Sequence, residues 1–197
     1  MQLTYKTITG NTYAEFKDRG SKFHGYAFPV KTADDVKLHL QTLKKEHPKA
    51  VHHCYAYRLG TDGLQFRAND DGEPSGSAGR PILGQIDSAG LTDVLVVIVR
   101  YFGGTLLGVP GLIHAYKTAT ADSLALAGVV EKHVEHKLTL EYDYSLMNEV
   151  MQVLKQSDAT IYRQDMQLFC VLEAGVPLVH KEACLQKLKD IHGLEIK

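Results

Sequence analysis

Asp70, Asp71 and Glu73 stand close together in a stretch, residues 69–81, that also holds Gly72, Gly76 and Gly79. Carboxylates at that density can hold a divalent cation with phosphate as co-ligand, or pair with a cation brought in by the fold. Their spacing does not match a helix–loop–helix calcium site, so no metal is assigned to them. A second stretch, Arg100-Tyr101-Phe102-Gly103-Gly104 through Gly108 and Gly111, places a guanidinium and two aromatic rings where an apolar run ends. It then passes through glycines into a helix, and free amides at a helix N-terminus attract anions. Arg100 can fork onto a phosphate or carboxylate, with Arg80, His114 and Lys117 as further cations and Tyr101, Phe102 and Tyr116 nearby. The simpler reading is that the glycines only make tight turns and Arg100 pairs with Asp70, Asp71 or Glu73. A third set, His52-His53-Cys54, offers a thiol and two imidazoles. On a strand, His52 and Cys54 share a face and His53 takes the other, and no third group is evident to orient a nucleophile–base pair.

The elements that must hold these residues can be read from pattern. Short alternating stretches over 4–9 and 12–30 predict strands separated by Gly10-Asn11. Thr32 opens a helix as N-cap, with Asp35 in the reciprocal position, Val36, Leu40 and Leu43 on one face and Pro48 as its stop. His52 to Leu59 reads as a strand, and residues 60–79 as a long polar loop. Pro81 to Ser88 reads as a short helix capped near Ser77. Val94-Leu95-Val96-Val97-Ile98-Val99 is apolar on both faces, the mark of a buried central strand. A helix is expected from Gly111 to Leu126, with Gly128 as its stop. Beyond residue 130 the order is strand (136–143), helix (145–157), strand (159–164), strand (168–174), helix (177–190), strand (194–197). That is a βαββαβ, ferredoxin-like arrangement, with Pro177 in a first helical turn and Gly193 past a helix end.

Composition narrows the function classes. Of 197 residues, 44% are hydrophobic, enough for a real core. No apolar run approaches bilayer-spanning length, and Met1-Gln2-Leu3-Thr4-Tyr5-Lys6 is polar from the start, so neither a membrane span nor a signal peptide is expected. Cys54, Cys170 and Cys184 are odd in number and have no metal-like spacing, which suits free thiols in a cytoplasmic protein. Residues 131–197 carry eight basic and eleven acidic residues, and residues 1–130 fourteen and twelve. Neither balance is that of a generic nucleic-acid binder, so any phosphate contact would be local.

Taken together, His52-His53-Cys54, Asp70-Asp71-Gly72-Glu73-Pro74 with Gly76 and Ala78-Gly79, and Val99-Arg100-Tyr101-Phe102-Gly103-Gly104 through Leu106-Leu107-Gly108 resemble the signature of the YigZ/IMPACT family, in its bacterial two-domain form. The resemblance covers most of residues 15–127, and Pro110 stands where the family usually has a further glycine. It implies an α+β fold. Residues 1–130 would form an N-terminal domain similar to the left-handed βαβ domain IV of elongation factor G. Residues 131–197 would resemble its ferredoxin-like domain V. The family's eukaryotic relative regulates translation initiation through a separate N-terminal domain with no counterpart in this sequence, and no activity is settled for the bacterial members.

The expected function is therefore that of a translation-associated regulatory protein. It would bind RNA, the ribosome, a regulatory protein or another phosphate- or carboxylate-bearing partner, with no cofactor. The surface assigned to that partner comprises Arg80, Arg100, Tyr101, Gly103, Gly104, Gly108, Gly111 and Lys117, with Asp70, Asp71 and Glu73 as loop partners. His52, His53 and Cys54 are motif residues without an assigned role. The alternative is an enzyme with a pocket around the Asp70–Glu73 loop and Arg100.

Overall fold

The structure, a computed structural model, describes residues 2–166 and 169–197. The chain divides into two compact units, Tyr5–Lys132 and His133–Lys197, the latter including the residues before Tyr5. Strand β1 (Thr4–Ile8) and strand β7 (Val129–His133) form a two-stranded ribbon. The main sheet of the first unit contains β2 (Thr12–Asp18), β3 (Ser21–Pro29), β4 (His52–Leu59), β5 (Gln65–Asn69) and β6 (Val94–Tyr101). Their order is β2-β3-β6-β4-β5, and every neighbouring pair is antiparallel.

Val94 through Val99 of β6 are fully buried, because helices cover both faces of the sheet centre. On one face Leu95, Val97 and Val99 pack with Phe28 and Val30 against Val36 and Leu43 of α1 (Ala33–Glu46). On the other, Val94, Val96 and Ile98 pack with Phe23, Cys54 and Ala56. Ile82 and Ile86 of α2 (Gly79–Ser88) and Tyr116 and Ala119 of α3 (Gly108–Ala125) close that layer. Each Val, Leu, Ile or Phe among them contributes roughly 1.5–3 kcal/mol by leaving water. Helix α1 starts as its capping box requires. The Asp35 amide donates to Thr32 Oγ1 at 3.1 Å, and the Thr32 amide donates to the Asp35 carboxylate at 2.9 Å.

Three local expectations change. The polar segment 60–79 contains β5, which pairs with β4 from Leu59↔Gln65 to Tyr55↔Asn69. It is an exposed edge strand without an apolar face, so no alternation announces it. Helix α2 begins at Gly79, and Ser77 does not cap it: the Ser77 hydroxyl donates to the Pro74 carbonyl at 2.6 Å. Helix α3 begins at Gly108 rather than Gly111. Pro110 thus falls in the first turn, where a missing N–H costs nothing. This accounts for proline being tolerated at that position.

In the second unit, β8 (Glu135–Tyr142), β9 (Thr160–Met166), β10 (Cys170–Pro177) and β11 (Glu195–Ile196) form a sheet in the order β11-β8-β10-β9. Helices α4 (Met147–Gln156) and α5 (Lys181–Lys189) follow β8 and β10, each behind a short 3-10 turn, Tyr144–Leu146 and Leu178–His180. This is the expected βαββαβ order, closed around Leu140, Tyr142, Val150, Leu172, Cys184 and Leu188. Pro177 ends β10 instead of opening a helix, and Gly193 turns at φ +90°. The strand expected over 168–174 runs Cys170–Pro177, and Leu168 lies outside the described residues. The fold is α+β, with three free, buried cysteines among the described residues. No described helix is long and apolar enough to cross a membrane.

Gly25 and Gly84 give opposite tests of this packing. A Cβ on Gly25 would lie 2.1 Å from Ser123 Oγ and 2.8 Å from the Ala119 carbonyl oxygen, whereas one on Gly84 meets nothing within 4 Å. Gly25→Ala is expected to lower stability by about 1–3 kcal/mol. Gly84→Ala is expected to raise it by about 0.5–1 kcal/mol through helix propensity. Urea midpoints of the two variants check both signs.

Candidate functional site

The sheet register brings the chemistry together. β4 and β6 pair His52 with Arg100 and Cys54 with Ile98, so His52, Cys54 and Arg100 project from the face that carries α2 and α3. His53 projects to the α1 side, and so does Tyr101, whose hydroxyl lies 2.9 Å from His47 Nδ1. Tyr101 is therefore not part of the Arg100 cluster.

Arg100 is buried and its Nη1 donates to Glu73 Oε1 at 2.6 Å, an ion pair whose side chains are 7% and 3% exposed. The Tyr116 hydroxyl donates to the same oxygen at 2.8 Å. The Cys54 thiol lies 2.9 Å from the Asp70 carbonyl and 3.2 Å from the Tyr116 hydroxyl. Burial pushes the Cys54 thiol well above its usual range, and burial does the same for the Tyr116 phenol. The thiol therefore stays protonated, without the thiolate character a nucleophile needs. Phe23 and Phe102 hold their rings over the Arg100 guanidinium at 5.5 and 5.7 Å.

The three acids of the 70–73 loop divide the work. Glu73 is the one that meets Arg100. Asp70 caps α2 from outside the helix: one oxygen accepts from the Ala78 and Gly79 amides at 3.0 and 2.8 Å, and the other from Gly76 at 2.9 Å. Burial raises its pKa, but these amides and Arg80 outweigh that and hold the carboxyl below its ordinary range. The α2 N-terminus is consequently occupied by a carboxylate of the protein itself. Asp71, at φ +40°, accepts the His53 amide at 2.7 Å, and its carbonyl takes His52 Nδ1–H at 2.8 Å. Asp71 and Gly72, at φ +89°, make the turn that carries Glu73 inward.

The glycines of the second segment have distinct jobs. Gly103 lies against Gly20, where a Cβ would sit 1.9 Å from the Gly20 carbonyl carbon. The Gly103 amide donates to Ser21 Oγ at 3.2 Å. Gly104, at φ +87°, faces open space, and Gly108, at φ +68°, begins α3. Gly111 follows in the helix, where a Cβ would be 3.0 Å from Leu107 Cβ. No described side chain caps α3. Arg80 and Lys117 are exposed on α2 and α3.

These parts surround a cleft of about 400 Å³ lined by Val51, His52, Glu73, Pro74, Arg100, Phe102, Leu106, Leu107, Gly108, Val109 and Leu112. Val51 (75%), Phe102 (58%) and Leu106 (82%) are unusually exposed for apolar residues. Sequence reading missed this apolar wall. The available signal was Phe102, Leu106 and Val109 standing in a glycine-rich turn, where polar residues are the norm. Among the described residues no three His, Cys, Asp or Glu side chains are grouped to hold a metal ion. All three carboxylates of the loop are committed to structure and the thiol is protonated, so the arrangement suits binding better than covalent chemistry.

Comparison with known proteins gives a consistent picture. Residues 19–124 match the family model of the Impact N-terminal domain. The chain is 35% identical over 157 residues to the IMPACT family member YigZ of Escherichia coli, covering 79% of this chain and 77% of that protein. It is 37% identical over 157 residues to the IMPACT family member YvyE of Bacillus subtilis, covering 80% and 72%. A crystal structure of a hypothetical protein superposes with a TM-score of 0.77 at 28% identity, covering 100% of this chain and 97% of the other.

Two predictions concern the buried network. Glu73→Ala strands the Arg100 charge and is expected to cost about 3–5 kcal/mol, whereas Glu73→Leu with Arg100→Met should recover most of it. Equal urea midpoints for the single and double variants would contradict the pair's role. The second concerns pH. Burial holds the His53 pKa below its ordinary value despite the nearby Asp71 carboxylate, and burial likewise lowers His24. The folded pKa lies under the unfolded one, so this stability is whole above about pH 6.5 and is lost as pH falls through the folded value. Asp70 has the same sign in a lower window, below about pH 3.9. Stability measured from pH 7.5 downward should fall below about pH 6.5, less steeply in His53→Leu.

Proposed function

The chain belongs to the IMPACT family, and we propose that it is a translation-associated regulatory protein that acts by binding RNA, the ribosome or another phosphate- or carboxylate-bearing partner. The proposed surface is built from residues 70–81 and 100–117 of the first unit. Family membership supports the association with translation. The observation that carries the surface is the contrast between two helix N-termini in these segments. That of α2 is filled by Asp70, whereas that of α3 has no described side-chain cap and opens on the cleft. Unsatisfied amides and the helix dipole favour an anion there.

Arg100 contributes indirectly, since its charge is balanced by Glu73. It shapes the floor, and Arg80 and Lys117 are exposed cations able to meet phosphate. Gly103 and Gly104 set the backbone path from β6 to α3, while Gly108 and Gly111 set its first turns. The competing enzyme reading would need a free base or nucleophile in the cleft, and among the described lining residues His52 Nε2 is the group left to supply one.

Binding to single-stranded RNA and to ribosomes, each titrated at two salt concentrations, tests the proposal. Lys117→Ala and Arg80→Ala each remove one cation, and each is expected to flatten the salt dependence by about one unit of slope if that cation neutralises a phosphate. If both variants bind as the parent does, with melting unchanged, the nucleic-acid reading fails and the enzyme reading takes precedence.

A further inference from the structure

The cleft is an odd receptor for phosphate alone. Its walls are Val51, Pro74, Phe102, Leu106, Val109 and Leu112, and Arg100 on its floor is already neutralised. A phosphodiester, flanked by polar sugars, would lose hydration there and leave the apolar walls uncovered. Two features nonetheless call for an acceptor. The α3 N-terminus, with Gly108 and Val109 on the cleft lining, has no described side-chain cap. Independently, Arg100 has donors to spare. Its Nη1 serves Glu73 and its Nη2 reaches Ser21 Oγ only at 3.5 Å, while its buried Nε has no partner among the described residues. A guanidinium carries five N–H donors, and buried polar groups are normally satisfied.

We propose that this cleft captures the C-terminus of a partner protein whose last residue is apolar. The reading rests on the proposal that a carboxylate-bearing partner docks on this surface, and it names that partner's chemistry. The terminal carboxylate sits at the α3 amides, beside the Arg100 Nη2 that Ser21 serves only at 3.5 Å, while the last side chain enters among Val51, Phe102 and Leu106. Capture of a chain terminus by backbone amides is a recurring mode of peptide recognition. A cleft of about 400 Å³ lies at the small end of ligand sites, which suits one terminal residue better than a folded surface. The exposed rim explains itself in the same terms. Apolar residues left 58–82% exposed around a concave floor are costly unless something covers them.

The full chain, labelled with ¹⁵N, is titrated with a short acetylated Gly-Ser peptide ending in leucine, with the same peptide amidated, with one ending in aspartate, and with isocaproate. The leucine free acid is expected to shift the Gly108 and Val109 amides and to bind at least about tenfold tighter than the amidated or aspartate-ended forms. Leu106→Asp, a change at an exposed position, should abolish that binding with melting unchanged. Equal affinity for free and amidated peptides, or no binding by any peptide, overturns the inference. Isocaproate binding as tightly as the peptide assigns the cleft to a small acid and overturns it too. RNA and ribosome titrations on the same sample separate the two claims: their persistence without peptide binding removes only this inference, and their loss removes the surface itself.

Discussion

A single buried ion pair organises the first unit. Arg100 is the penultimate residue of a strand whose preceding six residues are wholly buried, so its charge cannot reach bulk water without breaking the sheet. A guanidinium in that position must find a carboxylate, and Glu73 supplies it at 2.6 Å from a loop 27 residues upstream. Glu73 can reach that depth only because the loop before it turns sharply, with Asp71 and Gly72 both at positive φ. The same oxygen accepts from Tyr116, which fixes α3 against the loop and the sheet at once. The cluster of acids and glycines is thus largely the machinery for one buried charge pair.

The pair also accounts for the shape of the surface above it. With Glu73 drawn inward, Pro74 and His52 are left on the lip, and the chain leaving β6 must pass over Arg100 before α3 begins. Gly103 makes that passage possible by lying against Gly20, at a distance no side chain would permit. Leu106 is then held out from the core and forms the wall of a cleft with Phe102 and Val109, while Leu107 between them turns into the interior. A concave site results without any element being dedicated to it.

Asp70 plays the complementary part. Three amides converge on its carboxylate, so the N-terminus of α2 is satisfied from within and the loop is locked in place from the other side. Of the two helix ends that the glycine-rich segments create, one is thereby closed and the other left open. The division of the acids, with Asp70 on a helix end, Asp71 on β4 and Glu73 on Arg100, makes the loop rigid, and a rigid loop gives the cleft a fixed floor.

Much of this could be read from the chain alone. The run Val94–Val99 declared a strand buried on both faces, Thr32 and Asp35 declared a capped helix, and the order of patterns after residue 130 declared a βαββαβ unit, because each rests on local periodicity or local hydrogen bonding. That Arg100 needs an acid also followed from its place at the end of an apolar run. Which acid it takes did not, since Asp70, Asp71 and Glu73 lie within four residues and only the turn at Asp71-Gly72 selects among them. The same holds for Tyr101, sent to the opposite face by strand alternation once its register was set, and for β5, an edge strand whose pairing compensates for a polar sequence. Local sequence determined the elements, because backbone geometry and periodicity act over a few residues. The tertiary structure alone decided which charge is buried with which partner and which helix end stays open, because those outcomes depend on register, turn direction and desolvation across distant segments.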